Sequence, residues 1–291
     1  MRKELRQALA ICPESVRRAA DRLLADVLCE ELRFRIGRQT VGYAGGKRIP
    51  LGVYTTRALL DELLEHATRQ SAYAAQDMLR RGFVTLPGGH RLGICGTAVM
   101  REGEIQTIRA VSSVNLRIAR ELPGIGETCV SRMWTHPFST LIFGPPASGK
   151  TTLLRDIIRL LAQRQRVCVV DERQELAACI DGMPQFDLGE NADVLCAVPK
   201  ELGITLLLRS MNPQWIALDE ITAAEDAEAI VRASYCGVRF LATAHAGGRQ
   251  ELFSRPVYRS LMEQGVFQNL IFVSPDHSVK IERGNPCCSV G

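Results

Sequence analysis

Apolar and polar positions follow two different grammars along the chain, and they change near residue 124. In the first part the apolar runs are short and alternating. Val16, Ala19, Ala20, Leu23, Leu24, Val27 and Leu28 recur at helical spacing, and Arg17, Arg18 and Arg22 fill the positions between them. This predicts an amphipathic helix over residues 15–32. Residues 31–36 then turn strand-like, and Ala44-Gly45-Gly46-Lys47 reads as a turn. Thr55 or Thr56 can cap a helix running to about His66, and residues 71–81 predict another. Residues 83–86 and 91–96, joined through Pro87-Gly88-Gly89-His90, predict a hairpin, and 99–108 repeats the strand-turn-strand pattern. Residues 113–120 alternate with period two, the sign of a half-buried strand. Leu122-Pro123-Gly124-Ile125-Gly126 is the linker candidate. From about Cys129 onward, apolar runs at 140–143, 167–170, 215–219, 238–243 and 269–273 alternate with helical periods. That order predicts a parallel sheet. The expected organisation is a smaller α+β domain over 1–124 and an α/β domain with a mostly parallel sheet over 125–291.

The strongest chemical signal lies where the first of these runs ends. Residues 144–151 read Gly-Pro-Pro-Ala-Ser-Gly-Lys-Thr, a complete Walker A phosphate loop between a strand-like and a helix-like segment. Gly144 and Gly149 let the backbone curl close to a phosphate. The intervening Pro145, Pro146, Ala147 and Ser148 carry the loop, whose N–H groups, with the helix start at Thr152, point at the anion. Lys150 reaches the β- and γ-phosphates, and Thr151 offers a hydroxyl to Mg²⁺. The expected ligands are therefore ATP and Mg²⁺.

Three further strand ends carry chemistry. Trp215-Ile216-Ala217-Leu218-Asp219-Glu220 is an apolar strand closing on two acids, a Walker B pattern. Asp219 is the expected Mg²⁺ residue and Glu220 the expected catalytic base. Val169-Val170-Asp171-Glu172 ends in the same way. Ligands collect at the carboxyl ends of parallel strands, which makes Asp171 a second metal candidate and Glu172 a catalytic one. Their alternative role is to complement a helix N-terminus. Phe240-Leu241-Ala242-Thr243-Ala244-His245 puts Thr243 where it can sense a γ-phosphate and His245 where it can relay the state of the site. Arg209, before the Walker B strand, is a candidate phosphate contact. Arg109, Arg117 and Arg120 are candidates for reaching a phosphate across a boundary.

Composition narrows the class. In 291 residues, 46% are hydrophobic and 23% charged, ordinary values for a chain with a large core. A net charge of +4 permits contact with an anionic surface without demanding nucleic acid. The ten cysteines are scattered with no C-x-x-C pair, which argues against a zinc knuckle, and reduced thiols fit the cytoplasm. The adjacent Cys287 and Cys288 are candidates for redox or lipid chemistry, or simply part of an unconstrained tail. No leader and no membrane span is expected, because no window holds 18 consecutive apolar residues.

Taken together, the boxes at 144–156, 170–173, 184–189, 209–213 and 243–245 resemble the stage III sporulation AA branch of the type II/IV secretion ATPases. The resemblance implies a RecA-like P-loop ATPase core behind an N-terminal domain, working as a homo-hexamer. It also implies a place peripheral to the inner face of a membrane, in the mother cell, at a channel complex leading to the forespore. Where secretion ATPases carry Gly-Glu at the Walker B, this chain carries Asp219-Glu220. Glu220 matches the shared acid and Asp219 is additional. Two other readings stay open: a RecA-like nucleic-acid translocase, and a non-motor such as a nucleotide-gated scaffold or small-molecule kinase. The first expects a basic groove with stacking aromatics, whereas aromatics are 5% of the chain and the sequence shows no basic-aromatic cluster, so no nucleic acid is expected.

Overall fold

The computed structural model describes residues 2–69 and 71–284. Cys287 and Cys288 lie outside them. The chain divides into two compact units, Met1–Arg120 and Glu121–Gly291.

In the first unit, α1 (Lys3–Ala8) and α2 (Glu14–Leu24) precede β1 (Cys29–Arg35), β2 (Gln39–Ala44) and β3 (Lys47–Tyr54). Then come α3 (Arg57–Ala67), α4 (Ala72–Arg81), β4 (Phe83–Leu86), β5 (His90–Arg101) and β6 (Glu104–Arg117). The strands form one six-stranded antiparallel sheet in the order β3-β2-β1-β6-β5-β4. Period-two alternation puts Leu32 and Phe34 of β1, Leu92 and Ile94 of β5, and Val114 and Leu116 of β6 in one core with residues of α1, α2 and α3. Two helix caps sit where the hydroxyl residues suggest: Thr56 accepts from the Leu59 N–H, and Ser71 from the Ala74 N–H. Helix α2 is shorter than the spacing over residues 15–32 predicts. It ends at Leu24, because from Cys29 onward the chain is extended so that Leu32 and Phe34 can fill the core, and Leu28 is left exposed.

The second unit contains α5 (Glu127–Thr135), β7 (Thr140–Gly144), α6 (Lys150–Leu161), β8 (Val167–Asp171), β9 (Ala192–Cys196), α7 (Lys200–Ser210) and β10 (Trp215–Leu218). It continues with α8 (Ala224–Ser234), β11 (Arg239–His245), α9 (Arg249–Ser254), α10 (Pro256–Glu263), β12 (Asn269–Val273) and β13 (Val279–Arg283). The sheet order is β13-β12-β7-β11-β10-β8-β9. Every neighbouring pair is parallel except β12 with β13, a terminal antiparallel hairpin. Strands β7, β8 and β10 are buried at every position, which is why they read as unbroken apolar runs rather than alternations. One face packs Leu141, Phe143, Ile216, Leu218 and Phe240 against Ile204 and Ile230. The other packs Ile142, Val169, Ala217 and Leu241 against Leu154, Ile157 and Ile158 of α6. Because β7, β11, β10 and β8 are parallel neighbours, residues 144, 245, 219 and 171 emerge at one sheet edge. Among the described residues, no helix is long and apolar enough to cross a membrane.

Candidate active site

The phosphate loop has the backbone its sequence calls for. Gly144 closes β7 where a Cβ would lie 2.2 Å from the Val273 carbonyl oxygen, so no larger residue fits without displacing β12. Ala147 and Gly149 take positive φ values of 60° and 94°. Such alternation turns successive N–H groups toward one concavity, the geometry of an anion cradle. Gly149 is the N-cap of α6, and its carbonyl accepts the first helical bond, from the Leu153 N–H at 2.9 Å. Pro145 and Pro146 form the outer lip, and the Ser148 Oγ is buried with no hydrogen-bond partner in the protein. Lys150 is 6% exposed and donates to the Pro145 carbonyl at 2.7 Å. Burial pulls its amine below the ordinary lysine range, opposed by the charges of Asp219 and Glu220. A missing Cβ, a curled loop and a cation folded onto its own loop fit a phosphate group.

The acids after β10 form a chained network. The Thr151 hydroxyl donates to Asp219 Oδ2 at 2.9 Å, and the Thr243 hydroxyl donates to Asp219 Oδ1. The same Thr243 oxygen accepts the Glu220 N–H at 2.7 Å. The Walker A helix, the Walker B end and β11 are thereby joined through one carboxylate and two hydroxyls. Thr151 and Asp219 together offer the oxygen donors that a hard divalent cation prefers. Glu220 sits at φ 45°, and its carboxylate meets Arg173 Nη1 at 2.6 Å and His245 Nε2 at 3.3 Å. His245 Nδ1 is buried without a partner in the protein.

Other expected site residues lie elsewhere. Asp171 is 2% exposed, and its two oxygens accept the backbone N–H groups of Glu175, Leu176 and Ala177 at 2.7–3.1 Å. It thereby holds the turn that follows β8. Glu172 pairs with the buried Lys200 at the start of α7, and Lys200 also approaches Asp226 of α8 at 3.9 Å. Glu172, in the turn after β8, is thereby tied to the start of α7. Arg209 is exposed in the last turn of α7, which leads into the amino end of β10. It sits at the edge opposite the phosphate loop of its own chain, so it does not contact that loop. Thr152 follows Thr151 in the first turn of α6 and also lines a cavity of about 100 Å³ with Glu121, Pro123, Arg155, Arg159 and Asp187. In the first unit, Arg109 and Arg117 are exposed on β6, and Arg120 donates to the Cys29 carbonyl.

Sequence reading did not assign two residues that the structure brings to the site. Arg173, the partner of Glu220, follows the Asp171-Glu172 pair, and its contact spans 47 positions that no local motif bridges. His277 comes from the turn between β12 and β13, where Nδ1 lies 2.9 Å from the Ser148 carbonyl oxygen. No local motif announces it, because the contact spans 129 positions.

The chain is similar to known proteins in sequence and in fold. The chain is 34% identical over 273 residues to the Stage III sporulation protein AA of Bacillus subtilis (strain 168), covering 91% of this chain and 89% of that protein. Among solved structures, the ATPase DotB of Legionella pneumophila matches with a TM-score of 0.58 at 17% identity, over 92% of this chain and 78% of that one. The pilus retraction motor PilT with bound ADP matches with a TM-score of 0.59 at 15% identity, over 85% and 75%. These likenesses show that the fold is the α/β, RecA-like P-loop fold of secretion ATPases, preceded by an antiparallel-sheet domain. Residues 2–283 match the family described as "Sporulation stage III, protein AA", and the chain belongs to that family.

Proposed function

We propose that this protein is a Mg²⁺-dependent ATPase acting as a motor. The observation that carries the reading is the continuous Thr151–Asp219–Thr243–Glu220 network beside a phosphate-shaped loop. Lys150 exchanges its contact with the Pro145 carbonyl for the β- and γ-phosphates of ATP. Thr151 and Asp219 would hold the cation, which would offset the negative charge that develops on the phosphate oxygens. Glu220 orients the attacking water and takes its proton, with Arg173 and His245 setting the direction of its carboxylate. The bound ADP of PilT supports a nucleotide in this fold.

The first unit serves as the N-terminal domain and the second as the ATPase domain. Six copies form a ring, and an arginine from a neighbouring copy completes each site, since a cation supplied in trans is worth orders of magnitude in rate. The likeness to the sporulation protein supports a role in the mother cell, with the ring held against the inner face of the membrane by protein contacts at a channel complex reaching the forespore. The test is phosphate release from Mg·ATP together with particle mass with and without nucleotide. Lys150→Ala should abolish both binding and release. A wild-type protein that releases no phosphate and stays monomeric with ATP would overturn the reading.

A further inference from the structure

The turn between β12 and β13 reaches the phosphate loop through one side chain. β12 runs parallel to β7, with Phe272 opposite Phe143, so the turn emerges at the edge where the loop begins. There His277 Nδ1 lies 2.9 Å from the Ser148 carbonyl oxygen, and an added Cβ on Gly149 would lie 3.4 Å from the same nitrogen. A carbonyl oxygen only accepts, so Nδ1 carries the proton and donates. The histidine is itself held in place. It sits at φ 65°, its N–H donates to the Ser274 carbonyl at 2.9 Å, and the Ser274 N–H donates to the Ser278 carbonyl at 3.0 Å. Asp276 Oδ1 accepts from the Ser278 N–H at 3.1 Å and from the Ser274 hydroxyl at 2.5 Å.

The Ser148 carbonyl and the Gly149 N–H belong to one peptide group. In a planar trans peptide they point in opposite directions. Fastening the carbonyl outward therefore turns the Gly149 N–H inward, toward the concavity formed by residues 144–150. We infer that His277 is a positioning residue for the phosphate loop: its Nδ1–H pins the Ser148 carbonyl and so aims the Gly149 N–H at a bound nucleotide phosphate. The inference rests on the nucleotide-binding reading and adds a residue that no motif supplies. It also gives the terminal hairpin a part in the site, because loop geometry then depends on where that hairpin sits.

Three substitutions test it in the full-length protein. His277→Asn keeps a side-chain N–H donor near the same place and tolerates positive φ. His277→Asp has the same shape but only accepts. His277→Gly tolerates the backbone and offers nothing. Dissociation constants for Mg·ADP, the KM and kcat for ATP, and the melting temperature without nucleotide are measured for each. Asn should stay within about twofold of wild type for ADP. Gly and Asp should weaken ADP and raise KM by about tenfold, the scale of one lost hydrogen bond, with kcat at saturation changed by less than about threefold. Equal ADP affinity for Asn and Gly would overturn the inference. So would a Gly variant that melts earlier but binds as well as wild type, since that is a structural role alone. Wild-type protein that binds ADP yet releases no phosphate defeats the ATPase reading and leaves this comparison intact. Wild-type protein that binds no nucleotide defeats both.

Discussion

Strands β8 and β10 are neighbours in the sheet, both buried at every position, and both run out into an Asp-Glu pair at the same edge. After β10, Asp219 meets two side-chain hydroxyls, and Glu220 meets an arginine and a histidine, all groups that can re-pair when a ligand arrives. After β8, Asp171 meets three backbone N–H groups, and Glu172 meets a lysine that is 4% exposed. Three backbone donors hold Asp171 in its turn, and Glu172 shares its buried lysine with Asp226. An acid at a strand end is available for chemistry only when its partners can leave.

The sharpest test of this contrast is Glu220→Gln against Glu172→Gln. The first should lower phosphate release by about 10²–10⁴-fold, the usual share of a general base, with ADP affinity kept. The second should leave kcat within about threefold. Similar losses in both would erase the distinction.

Asp171→Ala comes next, read by denaturant melts. It leaves two buried N–H groups, those of Leu176 and Ala177, without their acceptor. The cost should be about 3 kcal/mol of stability, with the Asn variant losing less because one oxygen remains. An unchanged midpoint for Asp171→Ala would show that the turn holds itself.

Lys200→Met should cost about 2 kcal/mol, because Asp226 is buried and loses its cation while Glu172 can turn to water. The double variant Lys200→Met with Asp226→Asn should regain part of that loss. A fully additive cycle would mean that the two do not interact.

The smallest effect is expected of Arg173→Ala. The arginine is 55% exposed, so stability should move by less than about 1 kcal/mol. Turnover should fall by about three- to tenfold as the Glu220 carboxylate loses its orientation. A full loss of turnover would promote Arg173 from orienting the base to touching the nucleotide.

Much of this was readable in advance, for a physical reason. Strands buried on both faces leave unbroken apolar runs, so β7, β8, β10, β11 and β12 stand out, and the phosphate loop follows from glycine spacing alone. β2 and β3 leave no such run because a strand on a one-sided sheet buries few positions: Thr40, Val41 and Gly42 in β2, and Leu51 in β3. Asp171 and Asp219 are indistinguishable in sequence, since what separates them is the identity of donors 4–6 residues away in one case and 24–68 in the other. The place of Arg209 is not legible from its distance to the loop, because strand polarity decides which end of the sheet a residue reaches.

The left-handed backbone at Glu220 carries a consequence of its own. A non-glycine residue at φ 45° costs about 1 kcal/mol relative to the right-handed region, and that cost falls on the proposed base. Glycine at this position should therefore give a protein that withstands heat better and turns over no ATP. On the proposed role of Glu220, a screen for thermal hardiness would select against the activity at this position.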